Sequence, residues 1–308
     1  MKRRGEDSRR KLLAFIRGLT PAQMKPERKR WFGLLRIALL LLVIYVMLRW
    51  FEYKQVYHPS RAMEGAPGQL GRPFEDVFIP VEHGERLNAW YFPASNTASP
   101  VVLVCHGNAG NISHRLDLAA LLLEAGAGVM LVEYRGFGRS DGKPGEENTY
   151  RDAEGAYHWL LGKGFAGTNI IAYGESLGGG VVSELALREK LGGLILQSTF
   201  TSIPGVGAEV FPWLPVRLIS TIKYDTRAKL PKLRLPVLIL HSRRDDLIAF
   251  HHAEENFAAA NEPKFLREIS GGHNDAVWAS RPAMLAAIRD FLQNSVVNHS
   301  RAETTPAP

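Results

Sequence analysis

The stretch from Asn169 to Gly180 constrains this chain most: Asn-Ile-Ile-Ala-Tyr-Gly-Glu-Ser-Leu-Gly-Gly-Gly. Ile170 to Tyr173 is a short apolar run and reads as a buried strand. Gly174-Glu175-Ser176-Leu177-Gly178 then turns sharply into Val181 to Leu187, which reads as a helix. A serine at the apex of so tight a turn is held in a strained conformation. The residues two before and two after it must be small, or side chains collide. A helix starting just after Ser176 aims its amide dipoles at the place where an oxyanion would form. Strand, turn and helix together are a nucleophile elbow.

The pentapeptide alone proves little, because Gly138-Arg139-Ser140-Asp141-Gly142 matches the same pattern. Context separates the two. Ser140 runs into Gly142-Lys143-Pro144-Gly145, which cannot be a helix, whereas Ser176 has a strand before it and a helix after it.

An elbow needs a sheet. Apolar runs at Val101–Cys105, Val129–Glu133, Leu194–Gln197, Val237–His241 and Phe265–Ile269 read as strands. Asp76–Val81 and Leu87–Phe92 read as an antiparallel pair. Helices are expected at Leu116–Ala125, Tyr150–Leu161, Ala253–Ala260 and Met284–Gln293. Strands alternating with helices imply an α/β domain, its parallel sheet covered on both faces.

In such sheets the site lies beyond the carboxyl ends of the strands. A nucleophilic serine needs a base, and the base needs an orienting acid. His273 follows the Phe265–Ile269 strand in Ser270-Gly271-Gly272-His273, and it is the expected base. His158, His251 and His252 fall on helices and read as structural or exposed. The acid is Asp245 or Asp246, in the loop after Val237–His241; Asp225 is a rival with no strand before it. The loop His106-Gly107-Asn108-Ala109-Gly110-Asn111 follows Val101–Cys105, where a second oxyanion donor is required. The Asn108 N–H is expected there beside the Leu177 N–H. The order Ser, Asp, His is that of an α/β-hydrolase.

The net charge of +7 is concentrated in residues 1–30, which hold eleven Lys/Arg against three acids; the remainder has 27 basic and 28 acidic residues. The basic balance therefore describes a leader and gives no ground for nucleic-acid binding. Trp31 to Phe51 reads as a membrane anchor. Ile37–Leu48 is uncharged, Trp31 and Trp50 mark the interfaces, and the twenty residues between them span about 30 Å as a helix. No small-x-small cleavage site follows, and the leader is long for a signal peptide. The positive-inside rule puts residues 1–30 in the cytoplasm and the domain on the opposite face, the periplasm in a bacterium. Within the leader, Leu12–Ile16 is a short apolar patch. Residues 52–73 read as a linker, 74–294 as the domain and 295–308 as a disordered tail. The single cysteine, Cys105, lies in an apolar strand run. It reads as a buried structural thiol and excludes an internal disulfide or a Cys-based metal site. No cofactor or metal is expected.

Together His106–Asn111, Tyr134-Arg135-Gly136-Phe137-Gly138-Arg139-Ser140, Gly174–Gly178, His241–Asp245 and Gly272-His273-Asn274-Asp275 resemble the Bem46-type branch of the α/β-hydrolase superfamily. The resemblance covers roughly residues 74–293. It implies an eight-stranded, mostly parallel sheet, a Ser-His-Asp triad, a small cap and an N-terminal anchor. It also implies Asp245 rather than Asp246 as the triad acid, and Ser140 as a structural residue of the loop after the fourth strand. Ser242 departs from the glycine usual at its position, but it is still small.

The cap would be inserted between Thr199 and Leu230. There Val210-Phe211-Pro212-Trp213-Leu214-Pro215 forms an apolar patch, so Phe211 and Trp213 are candidates for an acyl pocket. With the anchor, the patch favours an ester or thioester of a lipid-like acyl chain. A peptidase, an acyltransferase and a catalytically idle tethered scaffold are the alternatives.

Overall fold

The structure, a computed structural model, describes residues 26–303, with side chains from 30 to 293. The patch Leu12–Ile16, most of the basic leader and residues 304–308 lie outside the described residues. The chain divides into two units, residues 1–54 and 55–308. The first contributes helix α1, Pro26–Val56, which is longer at both ends than the expected anchor and contains an apolar stretch long enough to cross a membrane.

The second unit is built on eight strands. These are β1 (Glu75–Pro80), β2 (Arg86–Phe92), β3 (Val101–Cys105), β4 (Gly128–Val132), β5 (Ile170–Glu175), β6 (Gly193–Gln197), β7 (Val237–Ser242) and β8 (Lys264–Ile269). They lie in the order β1-β2-β4-β3-β5-β6-β7-β8. β2 is antiparallel to both its neighbours; every other pairing beyond it is parallel. The hairpin at the sheet edge and the parallel body thus match the sequence pattern.

Helices cover both faces: α2 (Leu116–Glu124), α3 (Glu146–Gly162) and α4 (Leu177–Arg188). Between β6 and β7 lies a small cap of three short helices, α5 (Ile203–Val210), α6 (Val216–Ile219) and α7 (Thr226–Lys229). Then come α8 (His251–Ala259), α9 (Ala276–Ala279) and α10 (Arg281–Glu303). Alternate strand residues, among them Val102, Val104, Val129, Leu131, Ile171 and Tyr173, join Leu118, Leu121, Met284 and Phe291 of α2 and α10 in one core. The intervening residues, Val101, Leu103, Met130 and Ala172, are buried on the other face, as the period of two requires.

Three boundaries differ from expectation. α3 begins at Glu146, where Gly145 caps it and Glu146 and Glu147 meet the positive end of the helix dipole. α10 continues to Glu303, well past Gln293, because no Pro or Gly interrupts it before Pro306. Residues 295–303 are therefore helical where a disordered tail was expected. The third difference concerns the expected linker, of which residues 55–70 form a strap fastened to the domain. His58–Pro59 pairs in parallel with Ala109–Gly110. The Arg61 guanidinium donates to the Ser140 and Gly138 carbonyls, and Asn111 Nδ2 to the Ala62 carbonyl at 2.6 Å. Tyr57 is buried with its hydroxyl 3.0 Å from that of Tyr224. Pro- and Gly-rich composition marks irregular backbone, and here that backbone finds its hydrogen bonds in the loops it crosses.

Candidate active site

Ser176 sits between β5 and α4 at φ 51°, ψ −113°, a conformation that costs a non-glycine residue on the order of 1–3 kcal/mol. Close packing enforces it. A Cβ on Gly178 would lie 1.9 Å from the Cys105 carbonyl oxygen, and one on Gly174 2.5 Å from the Gly178 oxygen. Gly178, Gly179 and Gly180 all lie inside the first turn of α4, which thereby starts directly at Leu177.

The loop after β8 carries His273 back over the elbow. Its Nε2 lies 3.0 Å from Ser176 Oγ, and its Nδ1 is 2.9 and 3.0 Å from the two oxygens of Asp245. Asp245, its side chain buried, comes from the loop after β7. Its Oδ1 also accepts the Leu247 and Ile248 N–H groups, at 3.0 and 2.8 Å. Burial pushes its carboxyl up, but the His273 hydrogen bond and those two amides outweigh burial and leave it below the ordinary value. Carboxylate, imidazole and hydroxyl thus form one chain in which the hydroxyl can donate to Nε2 and Nδ1–H to Asp245.

The neighbouring acids do other work. Asp246 accepts the His273 backbone N–H at 2.9 Å and braces the loop. Asp225 caps α7 through the Ala228 N–H. Ser242 donates to the Gly271 carbonyl at 2.6 Å and accepts the Arg244 N–H, so its hydroxyl ties the Asp245 loop to the His273 loop. Ser140 is buried, donating to the Glu133 carbonyl and accepting the Asn88 N–H. It braces a turn and takes no part in the site.

Ser176, Asn108 and Leu177 border one cavity of about 200 Å³. Neither the Asn108 nor the Leu177 N–H donates to a protein acceptor among the described residues. The Asn108 side chain is turned away, donating to the Val56 carbonyl at 3.0 Å. The cavity wall is apolar: Phe200 precedes the cap, Ile203, Val206 and Val210 come from α5, Phe211 follows them, and Leu247 and Ile248 follow Asp245. Phe211 is thus where the sequence put it. Trp213 is not: it lies outside the cavity, 78 % exposed, with its ring against Phe211. Pro212 lies between the two in an irregular turn, where no strand or helix period sets side-chain direction.

No local pattern announces the second layer of polar side chains around the site. Arg115 makes a bidentate pair with Glu175, both contacts 3.0 Å, and reaches the Ala109 and Asn111 carbonyls. It pins the Asn108 loop to the elbow. Burial raises the Glu175 carboxyl, and Arg115 more than offsets this. Beneath the loop, His106 Nε2 lies 2.9 Å from Glu133, whose other oxygen accepts the Ile112 N–H.

Glu209, His251 and His252 form a cluster with ligand atoms close enough for a metal. Glu209 lies 3.1 Å from His251 Nε2, and burial holds the His252 imidazole towards its neutral form. His252 Nδ1 accepts the Thr201 backbone N–H at 3.2 Å. The ring proton therefore sits on Nε2, 3.3 Å from Glu209, and no lone pair there is left for a cation. Cys105 is buried and its thiol is pushed up to about 12 by burial, so it stays protonated.

With this geometry in place, relatives can be compared. The protein Rv2307c of Mycobacterium tuberculosis is 36 % identical over 278 residues, 89 % of this chain and 99 % of its own. The α/β-hydrolase domain-containing protein WAV2 of Arabidopsis thaliana is 30 % identical over 75 % of this chain and 83 % of its own, and bem46 of Schizosaccharomyces pombe 27 % over 87 % and 94 %. The chain belongs to the Bem46-like family of α/β-hydrolases. A family model described as serine aminopeptidase, S33, matches residues 96–226 of this Bem46-like chain. An esterase of Pyrococcus furiosus shares the fold with a TM-score of 0.63 at 19 % identity, covering 78 % of this chain and 97 % of its own. The eight-strand order and covering helices of the Bem46-like domain agree with that likeness.

Proposed function

We propose that this Bem46-like protein is a membrane-anchored serine hydrolase that cleaves carboxylic esters or thioesters with lipid-like acyl chains. The observation that carries the reading is the continuous contact from Asp245 through His273 to Ser176 beside an apolar cavity. Ser176 Oγ attacks the acyl carbonyl while His273 Nε2 takes its proton. The tetrahedral oxyanion is held by the Asn108 and Leu177 amides, with the α4 dipole behind them. His273 then gives the proton to the departing alcohol or thiol. Water, deprotonated by the same nitrogen, releases the acid and restores Ser176. Asp245 keeps the imidazole in the required tautomer and stabilises its cation.

The cavity is smaller than the roughly 300–1,000 Å³ pockets that enclose whole drug-sized ligands. It suits one acyl chain with the head group outside. A second reading, amide hydrolysis by an aminopeptidase, is favoured by the description of the matching family model. An aminopeptidase needs an acid to receive the substrate's ammonium group, and none of the described residues lining the cavity is acidic. The ester reading is therefore the stronger one.

In the proposed topology residues 31–51 cross the membrane, the basic leader stays in the cytoplasm and the domain faces the opposite side. Ser176→Ala should abolish both p-nitrophenyl butyrate hydrolysis and labelling by a fluorophosphonate. If intact wild-type protein takes no label, the idle-scaffold alternative stands instead.

A further inference from the structure

The most exposed large apolar side chains of the domain lie on a few segments. Val210, Trp213 and Leu218 on the cap, Leu247 in the loop after β7 and Trp278 on α9 are each more than half exposed. Elsewhere on the described domain no large apolar residue exceeds 41 %. Val210 and Leu247 also line the cavity, and Trp213 rests its ring on Phe211, which lines it too. Val210, Leu247 and Trp213 therefore lie at the rim of the cavity mouth. Single exposed apolar residues need no explanation, but a group of them around a binding cavity marks an interaction surface.

The strap identifies what covers this rim. Gln55 and Val56 line the same cavity. Phe51, where the apolar span ends, is only five residues before Val56, so even fully extended chain separates them by about 18 Å at most. Chain length therefore caps the distance between the end of the span and the start of the domain. Trp213, amphipathic and 78 % exposed, has the side chain favoured at a bilayer surface.

We propose that the rim docks on the bilayer surface, with Trp213 in the interface, and that the acyl chain of a bilayer lipid slides into the cavity without crossing water. The acyl-transfer step rests on the Ser176 reading above; the docking does not.

The buried, protonated Cys105 makes the test clean, because Trp213→Cys in the full-length chain then takes one polarity-sensitive label. In phosphatidylcholine–phosphatidylglycerol vesicles the label should shift to the blue, be quenched by lipids carrying a nitroxide near the ester carbonyl, and be shielded from iodide. Trp213→Asp should hydrolyse a vesicle-embedded lipid ester about tenfold more slowly than wild type, with p-nitrophenyl butyrate hydrolysis unchanged. A label open to iodide in vesicles, or equal and measurable vesicle rates for the two proteins, overturns the docking. Shielding without lipid quenching, with a doubled mass in detergent, assigns the rim to a second copy and overturns it as well. Lipid quenching of the label, together with a wild-type protein that hydrolyses no ester, supports the docking and refutes the Ser176 reading.

Discussion

Gly178→Ala is the sharpest perturbation of the elbow. The added Cβ would stand 1.9 Å from the Cys105 carbonyl oxygen and 2.9 Å from that of His106. Real Cβ contacts keep at least 3.0 Å, so some element must retreat by 3.0 − 1.9, or 1.1 Å. Cys105 ends β3, which is hydrogen-bonded to strands on both sides and fully buried, so it cannot move alone. The start of α4 gives way, and the Leu177 N–H moves with it. An amide shifted by that much no longer holds an oxyanion at about 2.9 Å. Loss of one such donor costs on the order of 10²–10³ in kcat, or about 2.7–4 kcal/mol. Overpacking adds roughly 1–3 kcal/mol of lost stability. The assay is kcat on p-nitrophenyl butyrate, with a thermal melt to show the variant folded. Gly180→Ala is the control: its Cβ would meet the Tyr224 side chain at 2.7 Å, so it should lower Tm while kcat falls far less. A Gly178→Ala enzyme within threefold of wild-type kcat would refute the oxyanion assignment.

Asp245→Asn should lower kcat by roughly 10³–10⁴ through the wrong imidazole tautomer, whereas Asp246→Asn keeps the oxygen that accepts the His273 N–H and should stay near wild type. Equal losses in steady-state rates would contradict the division of labour between the two acids. Because the folded Asp245 carboxyl lies below its unfolded value of about 3.9, its stabilisation is complete above that pH and fades as pH falls through the folded value. Urea melts across that window should show the loss in wild type and a flatter curve in Asp245→Asn. Arg115→Ala leaves the half-buried Glu175 carboxylate without its partner; it should cost about 1–3 kcal/mol in denaturant melts, and partial rescue by the double change with Glu175→Gln would identify the stranded charge as the cause.

The frame of the domain was legible because each strand is a short apolar run and each helix carries its own period. The Ser176 turn was legible too, since glycine spacing encodes the close approach to β3. His273 and the pair Asp245 and Asp246 stood out as candidates because all follow strands at the sheet's carboxyl edge; position alone did not separate the two aspartates. The Arg115–Glu175 pair did not stand out, because it joins residues sixty apart and neither has a local partner in the sequence to announce it. Composition also misread residues 55–70. Proline and glycine report that backbone is irregular, yet they do not say whether its amides face water or another loop. Phe211 and Trp213 were indistinguishable for a related reason: in a Pro-broken turn, direction is set by packing alone.

The strap has a practical consequence for where this enzyme can be cut. His58–Pro59 lies edge to edge with Ala109–Gly110, and the Val56 carbonyl accepts from the Asn108 side chain. The smallest transplantable unit therefore begins at Gln55, not at the first strand of the sheet. A soluble tag or a foreign membrane segment can replace residues 1–54, but a truncation at Pro73 removes a wall of the cavity and the clasp on the loop that faces Ser176.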